Sequence, residues 1–174
     1  MTTLSLQQYE FLLARAETVI QACNSRGLML ATAESCTGGL ITGLLTEISG
    51  SSSVVDRGFT TYSNEAKHEI LNVPEPLLAE FGAVSAPVAK AMAEGALKNA
   101  RADIAVAVTG IAGPGGGSAE KPVGTVHFGL AAKNGRAHHA HYVFSDLDRQ
   151  GVRAATINTA FTMILKELDK ITGD

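Results

Sequence analysis

Apolar residues recur every three or four positions at Leu6, Tyr9, Leu13, Ala16, Ile20 and Cys23, the period that gives a helix one buried face. Ser5 and Gln8 stand ahead of them in capping-box spacing, so an amphipathic helix is expected from there to about Gly27. Leu28 to Ala33 then reads as a short buried strand, and Leu40, Ile41, Leu44, Leu45 and Ile48 mark one face of a second helix. Beyond the Gly50-Ser51-Ser52-Ser53 break, Val54 to Tyr62 reads as extended, and Ser63 or Asn64 is placed to cap a short helix through Leu71. Pro74 and Pro76 punctuate the chain. A helix from about Pro87 to Ala100 leads into Asp103 to Val108, a β-branched run of central-strand type. Val123 to Ala132 and Arg136 to Phe144 flank Asn134-Gly135, a dipeptide favoured by two-residue type I′ turns. Ile157, Phe161, Ile164 and Leu168 set the buried face of a last helix, with Ser145, Asp146 or Asp148 as its cap.

Helices alternating with strands, plus one antiparallel hairpin, predict an α/β fold with a mixed sheet between helix layers. The 174 residues fit one domain spanning 1–174, with no repeat, linker or low-complexity segment. A net charge of −3 lacks the basic field that nucleic-acid binders need. Cys23 and Cys36 form no C-x-x-C pair and read as reduced thiols. No apolar run has membrane-spanning length and the opening residues carry no charged leader, which argues for a cytoplasmic protein with no membrane partner.

In open α/β sheets ligands collect at the carboxyl ends of strands, which directs attention to the turns at Ser35 and Thr109. The first offers the Ser35 and Thr37 hydroxyls and the Gly38 and Gly39 amides at a helix N-terminus, suited to a phosphate or a developing oxyanion. Its alternative role is a simple Ser or Thr helix cap. The second, Thr109-Gly110-Ile111-Ala112-Gly113-Pro114-Gly115-Gly116-Gly117-Ser118, reads either as an anion-binding nest or as a surface turn; it matches neither the P-loop nor the G-x-G-x-x-G pattern. Lys121 beside it is a candidate charge. Arg149 and Arg153 precede Ile157 and Phe161 at intervals of four and share their stripe, and Arg153, deeper in the helix, is the stronger candidate for a carboxylate or phosphate. Lys67 shares a helical face with Ile70 and Leu71; partial burial there would lower its pKa and suit it to act as base toward a serine, whereas an exposed lysine would only pair with an acid. Tyr62 is a buried aromatic or a proton relay. Cys36 is a rival nucleophile or a small buried thiol. Of His138, His139 and His141 only the last two share a face, too few for a closed zinc site, and neither a zinc-protease nor a G-x-S-x-G motif is present.

Together, Ala33-Glu34-Ser35-Cys36-Thr37-Gly38-Gly39, Gly58-Phe59-Thr60-Thr61-Tyr62-Ser63-Asn64-Glu65-Ala66-Lys67, Gly82-Ala83-Val84-Ser85, Thr109-Gly110-Ile111-Ala112-Gly113-Pro114 and Lys121-Pro122-Val123-Gly124-Thr125-Val126 resemble the CinA C-terminal domain family, from about Ser5 to Leu168. The resemblance implies a three-layer α/β/α sandwich on a mixed, mostly parallel sheet. It implies an amidase that hydrolyses the carboxamide of nicotinamide mononucleotide to nicotinic acid mononucleotide and ammonia, with no metal or cofactor and as a homodimer. It further implies Ser35 as nucleophile, assisted by Tyr62 and Lys67, with Arg153 matching an arginine in the family's last helix. Thr37, Gly38, Gly39, Thr109, Gly110, Gly113 and Arg153 are then the expected substrate- and phosphate-binding positions. A non-catalytic nucleotide-binding module is the alternative, and the acidic balance speaks against a DNA-processing role.

Overall fold

The computed structural model describes residues 4–171. Helix α1 (Leu6–Asn24) begins at Ser5, where the predicted capping box is formed in both directions. It is followed by β1 (Leu30–Glu34), α2 (Leu40–Thr46), β2 (Val55–Thr60), α3 (Asn64–Leu71), α4 (Glu75–Phe81), α5 (Ala86–Lys98), β3 (Ile104–Gly110), β4 (Thr125–Ala132), β5 (Ala137–Val143) and α6 (Arg149–Ile171). The strands form one sheet in the order β2-β1-β3-β4-β5. β1 runs parallel to β2 and β3, and β4 runs antiparallel to β3 and β5, so β4 alone is reversed.

Strand alternation explains the two helix layers. Along β3, Ile104, Val106 and Val108 join the core beneath α1, α2 and α6, whereas Ala105 and Ala107 face α3, α4 and α5. The first core is thick, with Leu12, Ile41, Ile157 and Phe161 at most 1% exposed, each such side chain contributing about 1.5–3 kcal/mol. The second is thin because its strand face is mostly alanine. A Cβ at Gly129 would lie 2.1 Å from the Ala89 carbonyl oxygen, so glycine there lets α5 press directly onto β4. This is the α/β/α sandwich anticipated from the sequence.

Two local expectations change. Pro74 and Pro76 begin a helix instead of breaking one: Pro74 is the N-cap of α4 and Pro76 sits in its first turn, where a missing amide hydrogen leaves no bond unmade. At the hairpin, Gly135 has φ 81° but Asn134 is not in the left-handed region, which rules out type I′. Gly135 N–H donates to Ala132 O at 3.0 Å and Ala132 N–H to Arg136 O at 2.9 Å, a three-residue loop in which glycine alone takes positive φ.

Candidate active site

β1 connects leftward to β2, while the chain returns to β3 on the other side of β1. This reversal leaves a crevice at the carboxyl ends of β1 and β3. A pocket of about 210 Å³ opens there, lined by Ser35, Cys36, Tyr62, Lys67, Ala83, Val84, Thr109, Gly110, Ala112 and Arg149. Of the residues singled out by sequence, Ser35, Tyr62, Lys67, Thr109 and Gly110 meet in this pocket; Thr37, Gly38, Gly39, Gly113 and Arg153 do not line it.

Lys67 reaches the pocket because Ser63 caps α3, its hydroxyl accepting the Ala66 amide at 3.0 Å. That start places Lys67 and Leu71 on the inward face, both 1% exposed, and turns Ile70 outward at 43%. The lysine stem bends back over the first turn. Its Nζ lies 2.9 Å from Thr61 O, 3.2 Å from Tyr62 O, 3.4 Å from Ser63 O and 3.1 Å from Ser35 Oγ. Three of these oxygens are carbonyls, which only accept. The Ser35 hydroxyl alone can also donate, so it is the group that can hydrogen-bond the lone pair of a neutral amine.

Burial holds the Lys67 amine below the usual lysine range, opposed by a Cys36 thiolate and by Glu65. The Cys36 opposition is inactive near neutral pH, because burial pushes that thiol up to about 12 and leaves it uncharged. The same shift makes Cys36 a wall of the pocket and a poor nucleophile. Both cysteines are free thiols.

The turn after Ser35 is built around Glu34, which sequence reasoning missed. Its carboxylate, 1% exposed, accepts from Thr37 Oγ1 at 2.7 Å, Gly39 N at 3.0 Å, Ile41 N at 3.0 Å, Thr42 N at 2.8 Å and Thr42 Oγ1 at 2.9 Å. An internal anion therefore occupies the start of α2, and neither Ser35 nor Thr37 is its cap. Of the expected substrate- and phosphate-binding positions here, the Thr37 hydroxyl and Gly39 amide face Glu34, and the Gly38 amide donates to Ser35 O at 3.1 Å. Gly39 is the N-cap at φ 97°, a conformation glycine adopts without steric cost. The signal for Glu34 was strand parity: with Leu30 and Thr32 it points into the thick core, where a carboxylate requires donors.

Of the two arginines, only Arg149 lines this pocket. It donates from Nη1 to Gly113 O at 2.7 Å and from Nη2 to the Tyr62 hydroxyl at 3.5 Å. Arg153, one turn deeper, instead braces the turn that follows Ser35, with Nη2 2.9 Å from Thr37 O. Neither forms an ion pair with a carboxylate among the described residues. Tyr62 is 63% exposed; its carbonyl, not its hydroxyl, contacts Lys67. Thr109 is fully buried and ties the wall together by donating to Ala83 O at 2.8 Å. At Gly110 a Cβ would meet Thr125 O at 2.8 Å. Gly113, at φ 82°, contributes the carbonyl that holds Arg149. Lys121 donates to Phe81 O at 2.8 Å, pinning the glycine-rich loop to the end of α4. Four of the five histidines stand on the β4-β5 hairpin outside the pocket: His127 stacks on His139 and His141, and His138 bonds Glu167 at 2.7 Å.

No helix of the described residues is long and apolar enough to cross a membrane. The family model for the CinA C-terminal domain matches residues 13–168. Nicotinamide-nucleotide amidohydrolase PncC of Enterobacter agglomerans is 53% identical over 149 residues, covering 86% of this chain and 90% of that protein. The protein of the same name in Escherichia coli (strain K12) is 54% identical over 142 residues, covering 82% and 86%. The crystal structure of competence/damage inducible protein CihA from Agrobacterium tumefaciens aligns with a TM-score of 0.89 at 51% identity, covering 97% of this chain and 99% of that one.

Proposed function

The chain belongs to the CinA C-terminal domain family, and from that membership and the pocket geometry we propose that it hydrolyses the carboxamide of nicotinamide mononucleotide, with Ser35 as nucleophile and Lys67 as its base. The single observation that carries the chemistry is the Lys67 Nζ to Ser35 Oγ approach of 3.1 Å, with every other Nζ contact a carbonyl. The relatives named nicotinamide-nucleotide amidohydrolase supply the substrate.

In this reading neutral Lys67 takes the Ser35 proton as Oγ attacks the carboxamide carbon. Backbone amides of the turn that follows Ser35, those of Cys36 and Thr37, supply the donors for the oxyanion, each such donor being worth about 3–4 kcal/mol. The Lys67 ammonium then returns its proton to the departing nitrogen and ammonia leaves. Water, deprotonated by the same amine, resolves the acyl-enzyme to the nicotinic acid product. Arg149, which has no carboxylate partner among the described residues, binds the 5′-phosphate, and Tyr62 flanks it. Thr109 and Gly110 form the wall beneath the ring, and Arg153 acts through Thr37.

Incubating the purified protein with nicotinamide mononucleotide tests this. Stoichiometric release of ammonia and nicotinic acid mononucleotide is the expected result; saturable binding without either product would make the protein a nucleotide-binding module instead.

A further inference from the structure

We propose that Glu34 is a positioning residue: a buried carboxylate that clamps the start of α2 and so fixes the Ser35 turn in its working shape. The proposal rests on the reading of Ser35 as nucleophile. Glu34 precedes Ser35 in the chain, and its side chain reaches forward to Thr37, Gly39, Ile41 and Thr42. Ser35, Cys36 and Thr37 are thereby enclosed in a loop closed at both ends by one residue. The Glu34 carbonyl also accepts the Thr61 amide at 2.9 Å, and the Thr61 carbonyl in turn holds Lys67 Nζ at 2.9 Å. One residue thus references both the hydroxyl and the amine to the end of β1.

The partners are all donors. Gly39, Ile41 and Thr42 offer backbone N–H groups, which only donate, and they approach both carboxyl oxygens. Glutamine at this position would keep one acceptor and turn an NH₂ group toward donors, leaving buried N–H groups unmade. Alanine would leave a cavity lined by donors. In either case the turn must shift to recover its bonds, and the Ser35 hydroxyl shifts with it.

The test uses Glu34→Ala and Glu34→Gln in the full chain. Because displacements near 1 Å cost about a hundredfold in rate, kcat is expected to fall about that far in Glu34→Ala with little change in KM. Formate, a small carboxylate, should restore kcat and the hydrogen-exchange protection of the Gly39, Ile41 and Thr42 amides. Formamide, of similar size but neutral, should restore neither. Should Glu34→Ala not fold, Glu34→Gln studied below its unfolding midpoint gives the same kcat-against-KM split and the same exchange reading. Unchanged kcat per folded molecule, unchanged amide protection, or equal rescue by formate and formamide would each overturn the proposal. Ser35→Ala is measured in parallel: turnover by that variant would sink the nucleophile reading, while the exchange data report on the clamp independently.

Discussion

Replacing Lys67 by methionine removes the amine while keeping a long apolar stem in a site that is 1% exposed. Two consequences have opposite signs for stability. The Thr61 and Tyr62 carbonyls each lose a donor, costing about 1–3 kcal/mol for a buried group left without a partner. The variant also escapes the desolvation of an amine, which offsets much of that loss. The net change should stay within about 2 kcal/mol, a shift of roughly 4–8 °C in Tm for a chain of this size. Catalysis has no such offset. Loss of a positioned general base lowers the rate by about 10²–10⁴, or roughly 3–5.5 kcal/mol of transition-state free energy. Ammonia release from nicotinamide mononucleotide, measured beside thermal unfolding, separates the two effects. If Lys67→Met folded with a similar Tm and kept kcat within tenfold of the parent, the assignment of Lys67 as base would be refuted.

The pH profile carries a second prediction: kcat/KM should rise with pH through a Lys67 pKa that burial holds below 10.5 and then level off. Because Glu65 raises that pKa, Glu65→Gln should move the rising limb to lower pH; movement to higher pH would contradict the electrostatic account. The same depression makes the unfolded chain bind more protons than the folded one between the lowered pKa and 10.5, so Lys67's contribution to stability increases with pH in that window. The Tm difference between parent and Lys67→Met should therefore grow in the parent's favour as pH rises across it. Arg149→Met should raise KM for the mononucleotide by about 10–100-fold, the loss of one charge-assisted phosphate contact, and leave unfolding little changed. An unchanged KM would remove Arg149 from the phosphate site.

The elements were legible wherever a period and a cap coincided. Ser5 with Gln8, Ser63 before α3 and the β-branched run of β3 each gave both a pattern and a boundary. Helix α4 was not, because prolines before and inside a first turn resemble breakers until the helix beyond them is seen. At Asn134-Gly135 the dipeptide fits a two-residue or a three-residue loop, and the pairing of β4 with β5 decides between them. In the pocket, a hydroxyl at a strand end and a lysine sharing a helical face with Leu71 marked Ser35 and Lys67 as candidates, but spacing alone left a helix cap and an exposed lysine equally open, and it was the family resemblance that singled them out. Glu34 could not be read as easily, since its partners lie up to eight residues ahead and are mostly backbone amides that any sequence would supply. The arginines were ranked by depth along α6, yet the pocket lies over the helix's first turn. Depth therefore favoured Arg153, which reaches the Thr37 carbonyl, over Arg149, which reaches the mouth.

Turnover of nicotinamide mononucleotide by Ser35→Ala, measured with the affinity of the same variant for the substrate, tests the central claim most directly. The predicted result is binding close to that of the parent with ammonia release reduced at least about a thousandfold, as expected for removal of an attacking oxygen. Near-parental ammonia release from a correctly folded Ser35→Ala would show that the Ser35 hydroxyl is not what attacks the amide.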